Sequence, residues 1–190
     1  MEFMVLGRNE LPPELRGYRV AREGVLNNEK MAQHGFTGSS PERYRQAGRI
    51  NGYNREFGPP ANTPVEDGAN FVAASVAHLF QSPEAVSRWM HTIFLKDFED
   101  NVGRSMGQGS QLISARRLHP AGFFDEAVAL RVLQGSPAGL ASSTVIDFRV
   151  GRILGVVFVG AVGDHQRLEV ATELGLALEK RIVRVALGAA

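Results

Sequence analysis

The chain has 190 residues, of which 44% are hydrophobic, so it is long enough and apolar enough to form one domain with a buried core. Its 21 basic and 20 acidic side chains nearly cancel without any run of like charge, which argues against a nucleic-acid or membrane surface. The lack of cysteine excludes disulfides, thiolate nucleophiles and cysteine-ligated metals. We therefore expect a single domain over 1–190, with 1–17 as an N-terminal arm.

The first elements after the arm are predicted to be two short helices between two strands. The strands are expected at 17–21 and 49–57, where apolar and polar residues partly alternate. A helix within 27–35 begins at an asparagine cap and ends at a glycine. A second helix within 39–48 begins at the cap residue Ser40, which is followed by proline at the first helical position.

The middle of the chain predicts a loop, a buried strand and a long helix. Three prolines and several small residues make 58–68 a loop, and the valine- and alanine-rich segment 69–80 is a strand, with a helix as the alternative. The clearest helix spans 82–103. Ser82 is its cap, Pro83 opens it, and a glycine ends it.

The last part of the chain predicts a strand meander and a closing helix. Strands are expected at 111–119, 126–134 and 141–150, and short links between consecutive strands indicate antiparallel pairing. The closing helix is expected over 164–188, with Asp164 as its cap. Its predicted buried face consists of Leu168, Ala171, Leu174, Leu178, Ile182 and Val185.

The glycine-rich run over 148–164, FRVGRILGVVFVGAVGD, has the outward look of a phosphate-binding loop. It lacks the lysine and hydroxyl residue that a P-loop requires, and it leads from one strand into another. We interpret it as a hairpin with Gly151 and Arg152 in the turn. This register pairs three residues of the first strand with three of the second: Phe148 with Gly155, Ile146 with Val157, and Thr144 with Val159.

Three segments together resemble a family of exported bacterial α/β domains found in lipoproteins and sensor modules. They are GFFDEAVALRV, TVIDFRVGRILGVVFVGAVGD and LEVATELGLALEKRI, all within 122–187. The family is similar to the extracytoplasmic sensor of mycobacterial serine/threonine kinases and to PsbP-like folds. Two departures are the missing disulfides of the kinase sensor and the phenylalanines at 123 and 124.

With the element order, the resemblance predicts an α+β fold in which an antiparallel β-sheet meander is packed by helices, as a PsbP-like or sensor-like sandwich. It also implies an extracytoplasmic, non-enzymatic binding or sensing module. Residues 1–6 lack the basic start and long apolar segment of a signal peptide, so the expected location comes from the resemblance alone. No apolar run reaches the length of a membrane span.

The sequence offers little for catalysis or for metal binding. The five histidines lie far apart and show no short metal-ligand spacing. The acids at 97–100 and 125–126 leave a glycosidase-like pair open as an alternative, and the segment 142–144 lacks a nucleophile elbow. We predict no catalytic residue, no metal and no cofactor, so the chain is not expected to be an enzyme.

Polar side chains within the apolar strands give the candidate site, which consists of Arg131, Asp147 and Arg149. On the predicted hairpin, Asp147 and Arg149 share a face with apolar residues of the next strand. One interpretation is a solvated sheet edge where Asp147 pairs with Arg149 or Arg131. The other is the floor of a cleft whose guanidinium groups bind a small polar or acidic ligand.

The leading hypothesis is a non-catalytic ligand-binding or sensor-type domain of the bacterial cell envelope. The alternative is a structural or interaction protein that forms a homo-oligomer through an apolar face of the sheet or through the last helix. An α+β hydrolase is a third possibility. Neither a nucleic-acid partner nor a membrane span is expected.

Overall fold

The computed structural model describes residues 1–107 and 109–189, and within them an eight-stranded antiparallel sheet forms the centre of the molecule. The sheet order is β1-β2-β3-β8-β7-β6-β5-β4, so β8 pairs with both β3 and β7. The strands are β1 (Arg19–Val25), β2 (Arg49–Gly58), β3 (Asn70–Phe80), β4 (Ser105–Gly107), β5 (Ser110–Leu118), β6 (Ala127–Ser136), β7 (Gly139–Val150) and β8 (Ile153–Val162). The predicted α+β class and the antiparallel meander are confirmed.

The helices lie on both faces of this sheet. They are α1 (Asn28–His34), α2 (Pro41–Gln46), α3 (Pro83–Trp89), α4 (Leu95–Asp100) and α5 (Leu168–Ala186). The side chains of Asn27, Ser40 and Ser82 each accept a backbone N–H in the first turn of α1, α2 and α3, as the cap residues predicted.

Two helix boundaries differ from the prediction. The helix expected over 82–103 is interrupted by a π-helical turn at Met90–Phe94, which separates α3 from α4. The closing helix begins at Leu168, so Asp164 as its cap was wrong. The physical reason is that β7 hydroxyls satisfy the backbone here: Ser142 Oγ accepts from His165 N at 3.0 Å, and Thr144 Oγ1 accepts from Arg167 N at 2.9 Å.

One face of the sheet is covered by α5 and by the N-terminal residues. Ile146 and Phe148 of β7 and Val157 and Val159 of β8 are fully buried in this core. From α5, four of the predicted face residues are fully buried and the outer two are half-buried. Residues 1–17 add the buried side chains Val5, Leu6 and Leu15, and Leu6 N donates to Ser75 Oγ of β3.

The other face of the sheet is covered by α1 to α4. Its core contains Tyr44, Phe80, Ala85, Val86, Trp89, Met90 and Leu154. Because side chains alternate along β7, Asp147 points to this face, whereas its neighbours Ile146 and Phe148 point to α5.

The hairpin of β7 and β8 has the predicted register. Phe148 lies opposite Gly155, Ile146 opposite Val157 and Thr144 opposite Val159. Gly151 has φ +57°, the left-handed conformation expected at the turn. The Phe148 ring occupies the space where a Cβ at Gly155 would lie, so the glycine is required by packing across the strands.

Candidate functional site

A cavity of about 650 Å³ lies between α1, the segment 35–39, α2 and the α3–α4 helix pair. We call it the helical pocket. Its volume falls in the range of roughly 300–1,000 Å³ that is typical of small-molecule sites. Its lining residues are Met31, Ala32, Gln33, His34, Gly35, Phe36, Thr37, Gly38, Ser39, Tyr44, Trp89, Ile93, Phe94, Asp97, Phe98, Ser105 and Met106.

Aromatic rings form two clusters in the wall of the helical pocket. The ring centroid of Trp89 lies 5.5 Å from that of Tyr44, and the Phe98 centroid lies 5.0 Å from Phe36 and 5.5 Å from Phe94. These are edge-on or tilted contacts, which stabilise aromatic pairs beyond their area burial. Trp89 is the single tryptophan of the chain.

The π turn at Met90–Phe94 shapes this wall. A π turn places an extra residue in one helical turn and so changes which side chains face the same direction. Met90 faces the sheet and is fully buried, while Ile93 and Phe94 are half-buried and line the pocket. The phenyl rings of Phe94 and Phe98 meet because residues four apart lie on the same side of a helix.

The charged group of the lining is Asp97, and its charge is neutralised within the chain. Arg43 of α2 donates from its two terminal nitrogens to the two carboxylate oxygens of Asp97, at 2.9 Å and 2.6 Å. These hydrogen bonds raise the pKa of Arg43 above its ordinary value. This bidentate ion pair between Arg43 and Asp97 connects α2 to α4 beside the pocket.

The segment 35–39 covers one end of the pocket and depends on two glycines. Gly38 has φ +91°, and a Cβ at Gly35 would lie 2.5 Å from the Tyr44 hydroxyl. Ser39 Oγ is buried without a hydrogen-bond partner in the described part of the chain. The covering segment thus approaches α2 closely because it has no side chain at position 35.

A buried polar network fixes α1, which forms another wall. Arg49 of β2 is fully buried; it donates to Asn28 Oδ1 at 2.6 Å and, through Nη2, to His78 Nδ1 at 2.9 Å. Burial lowers the pKa of Arg49 to about 10 and lowers the pKa of His78 well below its ordinary value. The neutral His78 ring therefore accepts from the guanidinium.

The three residues predicted as a ligand site do not form one cluster. Arg131 lies opposite Thr144, and Asp147 is three residues further along β7, so alternation places Arg131 and Asp147 on opposite faces. Arg131 pairs with Asp164 near the start of α5. The ion pair proposed between Asp147 and Arg131 was therefore wrong. The pair proposed between Asp147 and Arg149 was also wrong, because Arg149 pairs with Asp125 and Glu126 instead.

Asp147 and Arg149 share a face but have different surroundings. The Asp147 side chain lies between Val128 and Val156; the residue is 2% exposed, and Oδ1 has no hydrogen-bond partner in the described part of the chain. This burial raises its pKa well above the ordinary value.

Arg149 lies near the carboxyl end of the central strand β7, beside α3. It donates to Glu126 Oε1 at 2.9 Å and to Asp125 Oδ1 at 2.8 Å, and it lines a shallow groove with Arg88 and His91. The role of Arg131, Asp147 and Arg149 in binding a polar or acidic ligand stays a prediction.

Two further observations concern metals and membranes. Across residues 1–107 and 109–189, histidine and acidic side chains do not gather in a group of three that would hold a metal ion. None of the described helices combines the length and apolar character needed to cross a bilayer.

The comparisons with known proteins support the fold. No protein-family model matches the sequence, and no curated protein matches it. Among solved structures, the chain is similar to the extracellular domain of PknH from Mycobacterium tuberculosis, with a TM-score of 0.63 and 9% sequence identity. The match covers 97% of this chain and 95% of that one. The predicted resemblance to the mycobacterial kinase sensor is thus confirmed at the level of the fold.

Proposed function

We propose that this chain is a non-catalytic, ligand-binding domain of sensor type in the bacterial cell envelope, and that its ligand occupies the helical pocket. The observation that carries the proposal is the pocket itself, a cavity of about 650 Å³ with aromatic side chains from α2, from the α3–α4 helix pair and from the segment 35–39. Concave, largely apolar sites with a few polar groups are the usual form of small-molecule sites.

The arrangement of polar groups in the pocket supports binding rather than a reaction. A nucleophilic serine needs a base within hydrogen-bond reach, but Ser39 Oγ has no such partner in the described part of the chain. A carboxylate that acts as a general base needs to be free to accept a proton, whereas both oxygens of Asp97 accept hydrogen bonds from Arg43.

The proposed location rests on the similar fold of the extracellular domain of PknH, together with the resemblance of residues 122–187 to exported sensor domains. A fold alone does not carry a function. The location is tested by the reading frame that encodes the chain: a secretion signal or a membrane anchor joined to this domain supports it, and a cytoplasmic fusion partner contradicts it.

Binding in the pocket is testable because Trp89 is a built-in fluorescence donor. The neutral apolar dye N-phenylnaphthylamine accepts energy from tryptophan, so its binding beside Trp89 is expected to quench the protein emission saturably. Ala32→Phe places a ring in the pocket from α1 and is expected to abolish the transfer. Ala186→Phe, an exposed site at the end of α5, is the matched control and is expected to bind like wild type. Absent or non-saturable transfer in wild type contradicts the proposal.

The alternative proposal is a homo-oligomer, and a specific surface favours it. Phe124 is 95% exposed and lines the same shallow groove as Val183 of α5, and Leu187, one turn further on, is 78% exposed. Exposed apolar side chains in one area are typical of protein contacts. A mass that rises with concentration in wild type, and returns to that of the monomer in Phe124→Ser, supports this alternative; a constant monomer mass contradicts it.

A further inference from the structure

We propose that the ligand of the helical pocket is an uncharged amphiphile, with an apolar body among the aromatic rings and a polar end at the mouth beside α1. This inference rests on the proposed function, since it names the chemical class that the same pocket takes.

The inner lining selects for an apolar body. Trp89, Ile93, Phe94 and Phe98 come from one helical segment, and Met31 and Phe36 face them from the other side. Aromatic and thioether side chains offer polarisable, adaptable contact surface, which suits rings and hydrocarbon chains. A strongly polar body would lose its hydration here without regaining equivalent hydrogen bonds.

The charge balance of the lining selects against an ionic ligand. Asp97 is the acidic residue of the described lining, and both of its carboxylate oxygens already accept from Arg43. No lysine or arginine is found among the described lining residues. Among the rings, an anionic group would thus find no lysine or arginine to pair with, and a cationic group would have to compete with Arg43. A charge of either sign placed there would be desolvated without compensation.

The polar end of the ligand is placed by the outer lining. Gln33, His34 and Thr37 line the pocket and are exposed to solvent, so the pocket opens beside them. A hydroxyl, carbonyl or amide at this mouth keeps its hydration and reaches side chains that both donate and accept hydrogen bonds. The pocket therefore has an apolar inner part and a polar mouth, which matches an amphiphile in one orientation.

A pair of dyes that differ by one charged group tests this inference. N-phenylnaphthylamine is neutral, and anilinonaphthalene sulfonate has the same ring skeleton with a sulfonate added. Measured by energy transfer from Trp89, the neutral dye is expected to bind wild type about tenfold or more tightly than the sulfonate, because the sulfonate finds no free cation. Equal affinities, or a tighter sulfonate, overturn the inference while leaving the proposed function standing.

The variant Asp97→Asn tests the cause of the selectivity. It removes the carboxylate that neutralises Arg43, so the sulfonate dye is expected to bind several-fold more tightly while the neutral dye changes little. Asp100→Asn removes an exposed acid of the same helix, paired with Lys96, and is expected to leave both affinities unchanged. A cooperative melting curve for each variant confirms folding. If the Asp97→Asn protein folds and its preference for the neutral dye over the sulfonate equals that of wild type, the charge argument is overturned. If neither dye shows energy transfer in wild type, the proposed function is overturned as well.

Discussion

Replacement of Asp147 by valine is expected to stabilise the protein at neutral pH. Asp147 is 2% exposed, its Oδ1 has no hydrogen-bond partner in the described part of the chain, and its neighbours on the two adjacent strands are Val128 and Val156. A buried polar group left without a partner costs about 1–3 kcal/mol. Valine removes that cost, has a shape suited to a strand, and continues the row of valines across the sheet.

The gain from Asp147→Val is expected to depend on pH in a defined direction. Burial raises the pKa of Asp147 above its unfolded value of 3.8. As the pH rises above 3.8, the unfolded chain ionises first, and wild type loses stability until the pH passes the raised folded pKa. The valine protein has no such group, so its advantage should be smallest in acid and largest above the folded pKa.

Urea unfolding of wild type and of Asp147→Val across this pH range measures the effect. A gain of about 1–3 kcal/mol corresponds to a rise in melting temperature of about 2–4 °C per kcal/mol for a domain of this size. Asp147→Asn keeps a polar side chain but cannot ionise. It should therefore remove the pH dependence while stabilising the protein less than valine does. The reasoning would be refuted if Asp147→Val were less stable than wild type at every pH and if the difference in unfolding free energy between the two proteins did not change with pH.

Four further predictions concern the turn, the groove, nucleotides and acid stability. Gly151→Val places a β-branched residue at φ +57° and should cost about 1–3 kcal/mol in urea unfolding without changing dye binding; unchanged stability would contradict the turn assignment. Arg149→Ala should cost less than about 1 kcal/mol, since its carboxylate partners are partly exposed, and it should weaken binding of any acidic ligand in a screen if the predicted role is correct. Millimolar ATP, GTP or NAD should leave the melting temperature unchanged, because the glycine run is a hairpin; a clear rise would contradict this. Stability should fall as the pH drops below about 6.5, because His78 becomes protonated in the unfolded chain at a higher pH than in the folded protein, where it is buried. His78→Gln should weaken this pH dependence in acid titrations of the unfolding free energy.

Local features of the fold were predictable because they depend on neighbouring residues. The hairpin register follows from the turn at Gly151, and the helix starts follow from cap residues such as Ser40 and Ser82. The strand β1 continues four residues beyond the predicted 17–21, where polar residues hide it, and the three-residue β4 is too short for a periodic signal.

The candidate site was less predictable because its parts come from distant segments. The residues that line the pocket lie in 31–44 and in 89–106, and an aromatic residue on a helix has the same signature whether it fills a core or lines a cavity. One signal was available: 82–103 has more large apolar residues than one buried stripe requires, including Trp89, Phe94 and Phe98. The Arg49–His78 contact joins residues 29 apart and has no short motif.

The candidate residues Arg131 and Asp147 are separated for a reason of geometry. Arg131 was placed with Asp147 on composition, because both are polar residues in apolar strands. Which face a side chain points to depends on the register of β6 with β7, and that register puts Arg131 opposite Thr144. A shift of one residue would have brought Arg131 to the face of Asp147.

The most direct test of the central claim is a crystal structure of the chain grown with a saturating concentration of N-phenylnaphthylamine. We expect density for the dye in the helical pocket, with its rings between Trp89 and Phe98 and one end of the dye toward the opening beside α1. Dye bound only at another surface, or a pocket without dye at saturation, would contradict ligand binding in the helical pocket.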